Sequence, residues 1–93
     1  MSDQPPVPIL YTQTGCADSP KVRDWLVERG IPFVERNVTG DLDAAMALYR
    51  TGTFATPLLV VGETRVLGFR PAEIEAAAAP RAVASRTMAS GGA

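Results

Sequence analysis

Apolar and polar positions fall into short blocks along this chain. "VPILYT", from Val7 to Thr12, is an apolar, β-branched run bounded by Pro6 and Gly15, and it predicts a first strand. In "SPKVRDWLVERG", Val22, Trp25, Leu26 and the stem of Arg29 recur at helical spacing. Ser19 can cap this helix, Pro20 suits its first turn and Gly30 ends it. "IPFVERNV" predicts a second strand, with Phe33 and Val34 leading into charge. "TGDLDAAMALYRTG" predicts a second helix: Thr39 and Asp41 are polar starters, Leu42, Ala45, Met46 and Tyr49 share one stripe, and Gly52 stops it. "TPLLVVGETRVLGF" predicts two strands about a tight turn at Gly62-Glu63. "RPAEIEAAAA" predicts a last short helix opened by Pro71.

The order β-α-β-α-β-β-α makes this an α/β chain. Strands separated by helices are expected to be parallel with right-handed crossovers, and the final pair, a hairpin, antiparallel. A four-stranded mixed sheet with three helices on its two faces is the compact solution. With 93 residues there is room for one domain, expected over residues 7–79. Residues 1–6 read as a flexible leader and 80–93 as a disordered tail, small and polar with nothing acidic in it.

Composition narrows the function. The net charge of −1 offers no electrostatic footprint for nucleic acid or an anionic membrane surface. No apolar run of ~18 residues is present, so no helical membrane span is expected. The leader lacks the apolar stretch of a secretory signal, and the reducing cytoplasm is the expected compartment. There is one cysteine, Cys16, and no histidine. This excludes an internal disulfide, the usual zinc cages and every Ser/His or Cys/His catalytic pair.

Cys16 falls between the first strand and the following helix, where unpaired N–H groups and the positive helix end favour an anion. A thiol so placed is driven toward thiolate, the form that attacks disulfides. Its neighbours are Gly15, Ala17, Asp18 and Ser19 rather than aliphatics, so it is expected to be partly exposed rather than a buried filler. Ser19 lies one turn on and can donate to the sulfur, an interaction worth roughly 1.5–3 kcal/mol when the acceptor is charged. It cannot resolve a mixed disulfide. Asp18 opposes the thiolate by about 0.6 kcal/mol at roughly 7 Å in near-bulk water, close to the ~0.3–1 kcal/mol that the helix end contributes. The second feature is Thr56-Pro57, where a residue without an N–H opens the third strand.

With Cys16 after strand one, Thr56-Pro57 before strand three and Gly68-Phe69 after strand four, the chain resembles a glutaredoxin of the thioredoxin superfamily over Pro8 to about Ala78. "VLGFRPAEI" is most similar to NrdH-type redoxins, the glutaredoxin-like electron donors of ribonucleotide reductase. The start of the first helix also resembles arsenate-reductase and Spx-like proteins, which rank lower because the chain is short for them. The glutaredoxin resemblance implies a thioredoxin-like fold and a cis Thr56-Pro57 bond. It also implies a redox surface built from Thr12 to Ser19, Ala55 to Pro57 and Gly68-Phe69, in which Tyr11 and Phe69 wall a groove.

The departures carry information. The family pattern Cys-X-X-Cys is Cys-Ala-Asp-Ser here, a monothiol site that also differs from the Cys-Gly-Phe-Ser of cluster-binding relatives. A lysine common three residues before the cysteine is Gln13, and a Gly-Gly-X-Asp-Asp segment that grips glutathione is "LGFRPAE". Dithiol reduction of ribonucleotide reductase by this chain alone is therefore excluded. The resemblance implies thiol–disulfide exchange or deglutathionylation through a mixed disulfide on Cys16. Ser19 would support the thiolate, and Gln13, Thr56, Pro57, Gly68 and Phe69 would surround the substrate. Expected partners are glutathione, as a co-substrate, and proteins bearing thiols or disulfides; no cofactor is required, and the chain is expected to be a monomer. Two alternatives remain: a non-catalytic binding module, and a [2Fe–2S] carrier bridged by two Cys16 thiolates and glutathione.

Overall fold

Four strands form one sheet in the order β2-β1-β3-β4. They are β1 (Ile9–Thr12), β2 (Val34–Asn37), β3 (Leu58–Val61) and β4 (Thr64–Leu67). Helix α1 (Ser19–Glu28) joins β1 to β2, and α2 (Leu42–Tyr49) joins β2 to β3. A third helix, α3, covers residues 71–78. The computed structural model describes residues 7–78; the expected leader over 1–6 and tail over 80–93 lie outside them. The element order and the mixed sheet match the sequence expectation.

One expectation about strand direction does not hold. β1 and β2 are parallel, Ile9 facing Val34 through Thr12 facing Asn37. β3, however, lies antiparallel to β1, with Leu10 opposite Leu59 and Tyr11 opposite Leu58. A helix between strands thus does not make β2 and β3 parallel. Eight-residue α2 is only ~12 Å long, and the segment 50–57 after it can reach back by up to ~3.3 Å per residue. The chain therefore re-enters the sheet at the end where β1 finishes, and this reversal brings Thr56-Pro57 to Cys16.

β3 and β4 form the expected hairpin, with Val61 opposite Thr64. Its two-residue loop is Gly62-Glu63, and only Gly62 has a positive φ, +61°. That is the pattern of a type II′ turn, which glycine adopts without steric cost.

Side chains alternate across the strands, so the sheet feeds two cores. On one face Leu10, Leu59 and Val66 meet Val22, Trp25 and Leu26 of α1 and Ile74 and Ala78 of α3. On the other, Tyr11 and Leu58 meet Leu48 of α2, with Ile9, Val38, Ala47 and Val60 around them. Full burial of each large aliphatic side chain stabilises the fold by about 1.5–3 kcal/mol. The Arg29 guanidinium lies 4.0 Å from the centre of the Trp25 ring, so its stem follows the packing face as its spacing implied.

The stripe read on α2 is not its packing face. Ala44 and Leu48, one turn apart, are buried, whereas Leu42, Met46 and Tyr49 are exposed. Every second-helix residue except Asp43 is apolar or aromatic, so apolarity alone could not choose between the two sides. Small Ala44 lets the helix approach the sheet closely, and the bulkier stripe is left outside.

Candidate active site

Between β1 and α1 the chain makes two consecutive turns that place the sulfur. The Cys16 N–H donates to the Gln13 carbonyl at 3.0 Å, and the Ser19 N–H donates to the Cys16 carbonyl at 3.3 Å. In the first turn Gly15 has φ +88°, as the third residue of a type II turn requires. A Cβ there would meet no other residue, so conformation rather than space selects glycine. Asp18 occupies the N-cap position of α1 but makes no side-chain cap, and Pro20 sits in the first turn. Ser19 is thus the first helical residue, not the cap expected from sequence. Asp18 instead pairs with Lys21 at 3.3 Å.

Cys16 is partly exposed. Its Sγ donates to the Thr56 carbonyl oxygen at 3.4 Å, across 40 positions of sequence. The Thr56-Pro57 bond is cis. Thr56 Oγ1 donates to Gln13 Oε1 at 3.4 Å, and the Gly68 N–H donates to the Pro57 carbonyl at 2.8 Å. The structure therefore brings together Gln13, Cys16, Thr56, Pro57 and Gly68. Phe69 is half-buried and packs against the α1 side of the core. Tyr11, expected to wall a groove, is 5% exposed and packs in the core beneath α2. Its period-two alternation with Leu10 turns it away from the thiol side, and it offers almost no surface to a substrate.

Ser19 is buried, and its Oγ has no hydrogen-bond partner of full geometry. Yet the Ser19 hydroxyl is the largest influence on Cys16, whose thiol is held below its ordinary range. Partial burial opposes this; the Thr56 side chain and the backbone N–H groups of Asp18 and Ser19 add to it. The two observations concern different protonation states. The neutral thiol donates to Thr56, and its sulfur is only a weak acceptor. Once the proton leaves, the sulfur becomes a strong acceptor, and that hydroxyl is a buried donor with no other partner.

Two polar networks that sequence reading missed fix this corner. Thr12, fully buried at the end of β1, donates to Glu35 Oε2 at 2.8 Å. Arg23 of α1 grips the same carboxylate with Nε at 2.9 Å and Nη2 at 3.0 Å. The Arg23 guanidinium and, less strongly, the Thr12 hydroxyl hold Glu35 below the usual carboxylate range against the effect of burial. A second ring ties the cysteine turn to the end of β2. The Thr14 N–H donates to Thr39 Oγ1 at 3.0 Å, Asn37 Nδ2 donates to Thr14 Oγ1 at 3.2 Å, and the Thr39 N–H donates to Asn37 Oδ1 at 2.8 Å. The available signal was a polar edge strand, "VERN", beside a helix carrying arginine on its inner flank.

Among the described residues no cluster of three or more His, Cys, Asp or Glu could hold a metal ion. No described helix is long and apolar enough to cross a membrane.

Comparison with known proteins agrees with this geometry. The glutaredoxin family model matches residues 9–66. No curated protein matches the chain. Among solved structures, the glutaredoxin grx-1 from Archaeoglobus fulgidus superposes with a TM-score of 0.69 at 16% identity, over 75% of this chain and 83% of that one. The glutaredoxin-like protein NrdH-redoxin from Escherichia coli superposes with a TM-score of 0.66 at 29% identity, over 74% of this chain and 91% of that one. Residues 9–66 are more than half of the molecule and contain both the Cys16 turn and Thr56-Pro57, and on that ground the chain belongs to the glutaredoxin family, as a glutaredoxin-like redox protein of thioredoxin fold.

Proposed function

We propose that this protein carries out thiol–disulfide exchange by a one-thiol route, with glutathionylated proteins or small mixed disulfides as substrates. The observation that carries the reading is the buried, unpartnered Ser19 hydroxyl beside a partly exposed Cys16. A cysteine that only filled space would not need a reserve donor. The Cys16 thiolate attacks the glutathione sulfur of a mixed disulfide, and the substrate thiolate leaves and takes a proton from water. A glutathione thiolate then attacks the Cys16 mixed disulfide, which releases oxidised glutathione and restores Cys16. Over one turn, the mixed disulfide and one glutathione thiol become the substrate thiol and oxidised glutathione, so one added glutathione supplies the reduction.

The second half of a dithiol cycle, an internal disulfide, cannot occur with one cysteine. The Escherichia coli NrdH-redoxin is described as having a thioredoxin-like activity profile. We read this chain as sharing the scaffold and performing only the single-thiol chemistry. No cofactor is needed for it. A shared [2Fe–2S] cluster would take one thiolate from each chain and two from outside. Lys21 and Arg23, the cations nearest Cys16 in sequence, are engaged by Asp18 and Glu35 rather than free to hold two glutathiones. The protein is accordingly read as a monomeric redoxin of a reducing compartment such as the cytoplasm, with thiol- and disulfide-bearing proteins as partners and no nucleic acid or membrane among them.

The test is a titration of thiolate absorbance against pH, paired with an assay of mixed-disulfide reduction in wild type and Cys16→Ser. A lowered thiol midpoint with Cys16-dependent turnover supports the reading. Turnover that survives the substitution, or none in wild type, removes it.

A further inference from the structure

The turn that carries Cys16 has little of its own to hold it against Thr56-Pro57. Gln13, Thr14 and Gly15 are all exposed, so core packing does not clamp them. The turn is closed by the bond from the Cys16 N–H to the Gln13 carbonyl, and its third residue is glycine, the most permissive residue type. The contact from Cys16 Sγ to the Thr56 carbonyl needs the thiol proton, so it is lost in the reactive thiolate.

What remains comes from the end of β2. Thr14, the second residue of the turn, is gripped twice. Its N–H donates to Thr39 Oγ1 at 3.0 Å, and its Oγ1 accepts from Asn37 Nδ2 at 3.2 Å. The Thr39 N–H donates to Asn37 Oδ1 at 2.8 Å, so the two grips close into one ring. That ring stands on the sheet. Asn37 lies opposite Thr12 in the parallel pairing of β1 and β2, and the Val38 N–H donates to the Thr12 carbonyl at 2.9 Å. Neither Asn37 nor Thr39 touches the sulfur, whose ionisation is favoured by Ser19 first, then by Thr56 and the N–H groups of Asp18 and Ser19. The ring thus acts on where the sulfur stands, separately from how readily it ionises. Alignment is a strong lever on rate, since a misplacement of ~1 Å can cost about 100-fold. We propose that Asn37 and Thr39 are positioning residues for exchange: through Thr14 they hold the Cys16 turn where its thiolate meets a disulfide beside Thr56-Pro57. This rests on the exchange chemistry assigned to Cys16 and adds two residues outside the sulfur's own contacts.

Three variants test it. Thr39→Val removes the acceptor with little change of shape, Thr39→Ser keeps it, and Asn37→Ala cuts the other grip. For each, the thiol midpoint is read from thiolate absorbance, and the alkylation rate from iodoacetamide, a small reagent that needs no alignment on Thr56-Pro57. The third reading is reduction of a cysteine peptide in mixed disulfide with glutathione, at a pH above the midpoint. There the Cys16 thiolate takes the glutathione, the peptide leaves as a thiolate, and added glutathione resets the protein. Thr39→Val and Asn37→Ala are expected to slow this reduction about tenfold and to leave midpoint and alkylation unchanged. Thr39→Ser is expected to keep all three at wild-type values. Thermal melts establish folding, and either of the two disrupting variants, once folded, decides. Unchanged reduction in a folded variant shows that α1 alone fixes the sulfur and overturns the proposal. So does a midpoint or alkylation rate that moves in step with reduction, or a Thr39→Ser as slow as Thr39→Val. Failure of both disrupting variants to fold makes the ring a structural support and overturns the proposal as well. Absence of Cys16-dependent reduction in the wild type removes the exchange reading itself, and this proposal with it.

Discussion

Cys16 Sγ and the Thr56 carbonyl oxygen stand 3.4 Å apart although 40 residues separate them in the chain. The contact joins the turn after β1 to the residue that precedes β3. It also distinguishes the two forms of the sulfur: the thiol can donate to that oxygen, and the thiolate cannot. The thiolate must therefore draw on other donors, of which Ser19 Oγ is the foremost.

Removing that donor is expected to weaken the nucleophile. In Ser19→Ala the thiol midpoint moves up toward the free-cysteine range. Mixed-disulfide reduction at neutral pH falls by up to roughly tenfold, matching the low end of a hydrogen bond to a charged group. The sign follows from the thiolate being the reactive form: activity rises with pH through the midpoint, so raising the midpoint moves the whole profile to higher pH. Rate-against-pH curves for both proteins check this, and superimposable curves would show that Ser19 is inert.

Supplying a second thiol at the same place is expected to change the product. Ser19→Cys puts a resolving sulfur next to Cys16, so a mixed disulfide collapses to an internal disulfide with release of the partner. Mass spectrometry after oxidation is expected to show a protein two hydrogens lighter and no retained glutathione. Persistence of the glutathione adduct would mean that the first turn of α1 holds position 19 out of reach.

The Thr12–Glu35–Arg23 network is expected to contribute a stability of order 1 kcal/mol, as a well-formed, partly exposed ion pair does. Glu35 has a lowered folded-state pKa. Its contribution is thus complete above the unfolded carboxylate pKa of ~4.3 and is lost as pH falls through the folded value. Thermal melts of Glu35→Gln are expected to lie below wild type at neutral pH and to converge with it in acid. A constant gap down to low pH would contradict the assignment.

The two faces of α2 are expected to respond oppositely to truncation. Leu48→Ala opens a cavity beneath the helix and costs about 2–5 kcal/mol. Met46→Ala on the outer face stays within about 0.5 kcal/mol of wild type. Denaturant unfolding of the two variants measures both, and a large loss in Met46→Ala would show that the outer face is covered even in the isolated chain.

Much of this architecture could be read before any coordinates, and the reasons differ by element. β1, α1 and the β3–β4 hairpin announce themselves because the apolar period and the bounding proline or glycine agree at each of them. The Cys16 turn was legible because its glycine and its place at a strand end carry chemical meaning on their own. The orientation of α2 was not, since seven of its eight residues are apolar or aromatic and no polar face marks the solvent side. The direction of β3 depends on how far a loop reaches, which residue types do not encode. Tyr11 was misplaced because a strand alternates faces, and which face receives the helix α1 is decided by the fold as a whole. The networks through Glu35 and Asn37 escaped for a similar reason: hydrogen bonds across 12 to 25 positions leave no local pattern.

The reversal of β3 also decides when the candidate site is complete. Had that strand run the other way, Pro57 would sit a full strand length, ~13 Å, from Cys16. As built, neither segment holds a complete site: the turn at 13–16 is local, whereas Thr56 arrives only when the third strand zips against the first. An unzipped chain keeps the Ser19 hydroxyl, three residues from the sulfur, but lacks the Thr56-Pro57 wall on which the thiol rests. Zipping the third strand against the first thereby joins a locally encoded donor to a partner brought from 40 positions away.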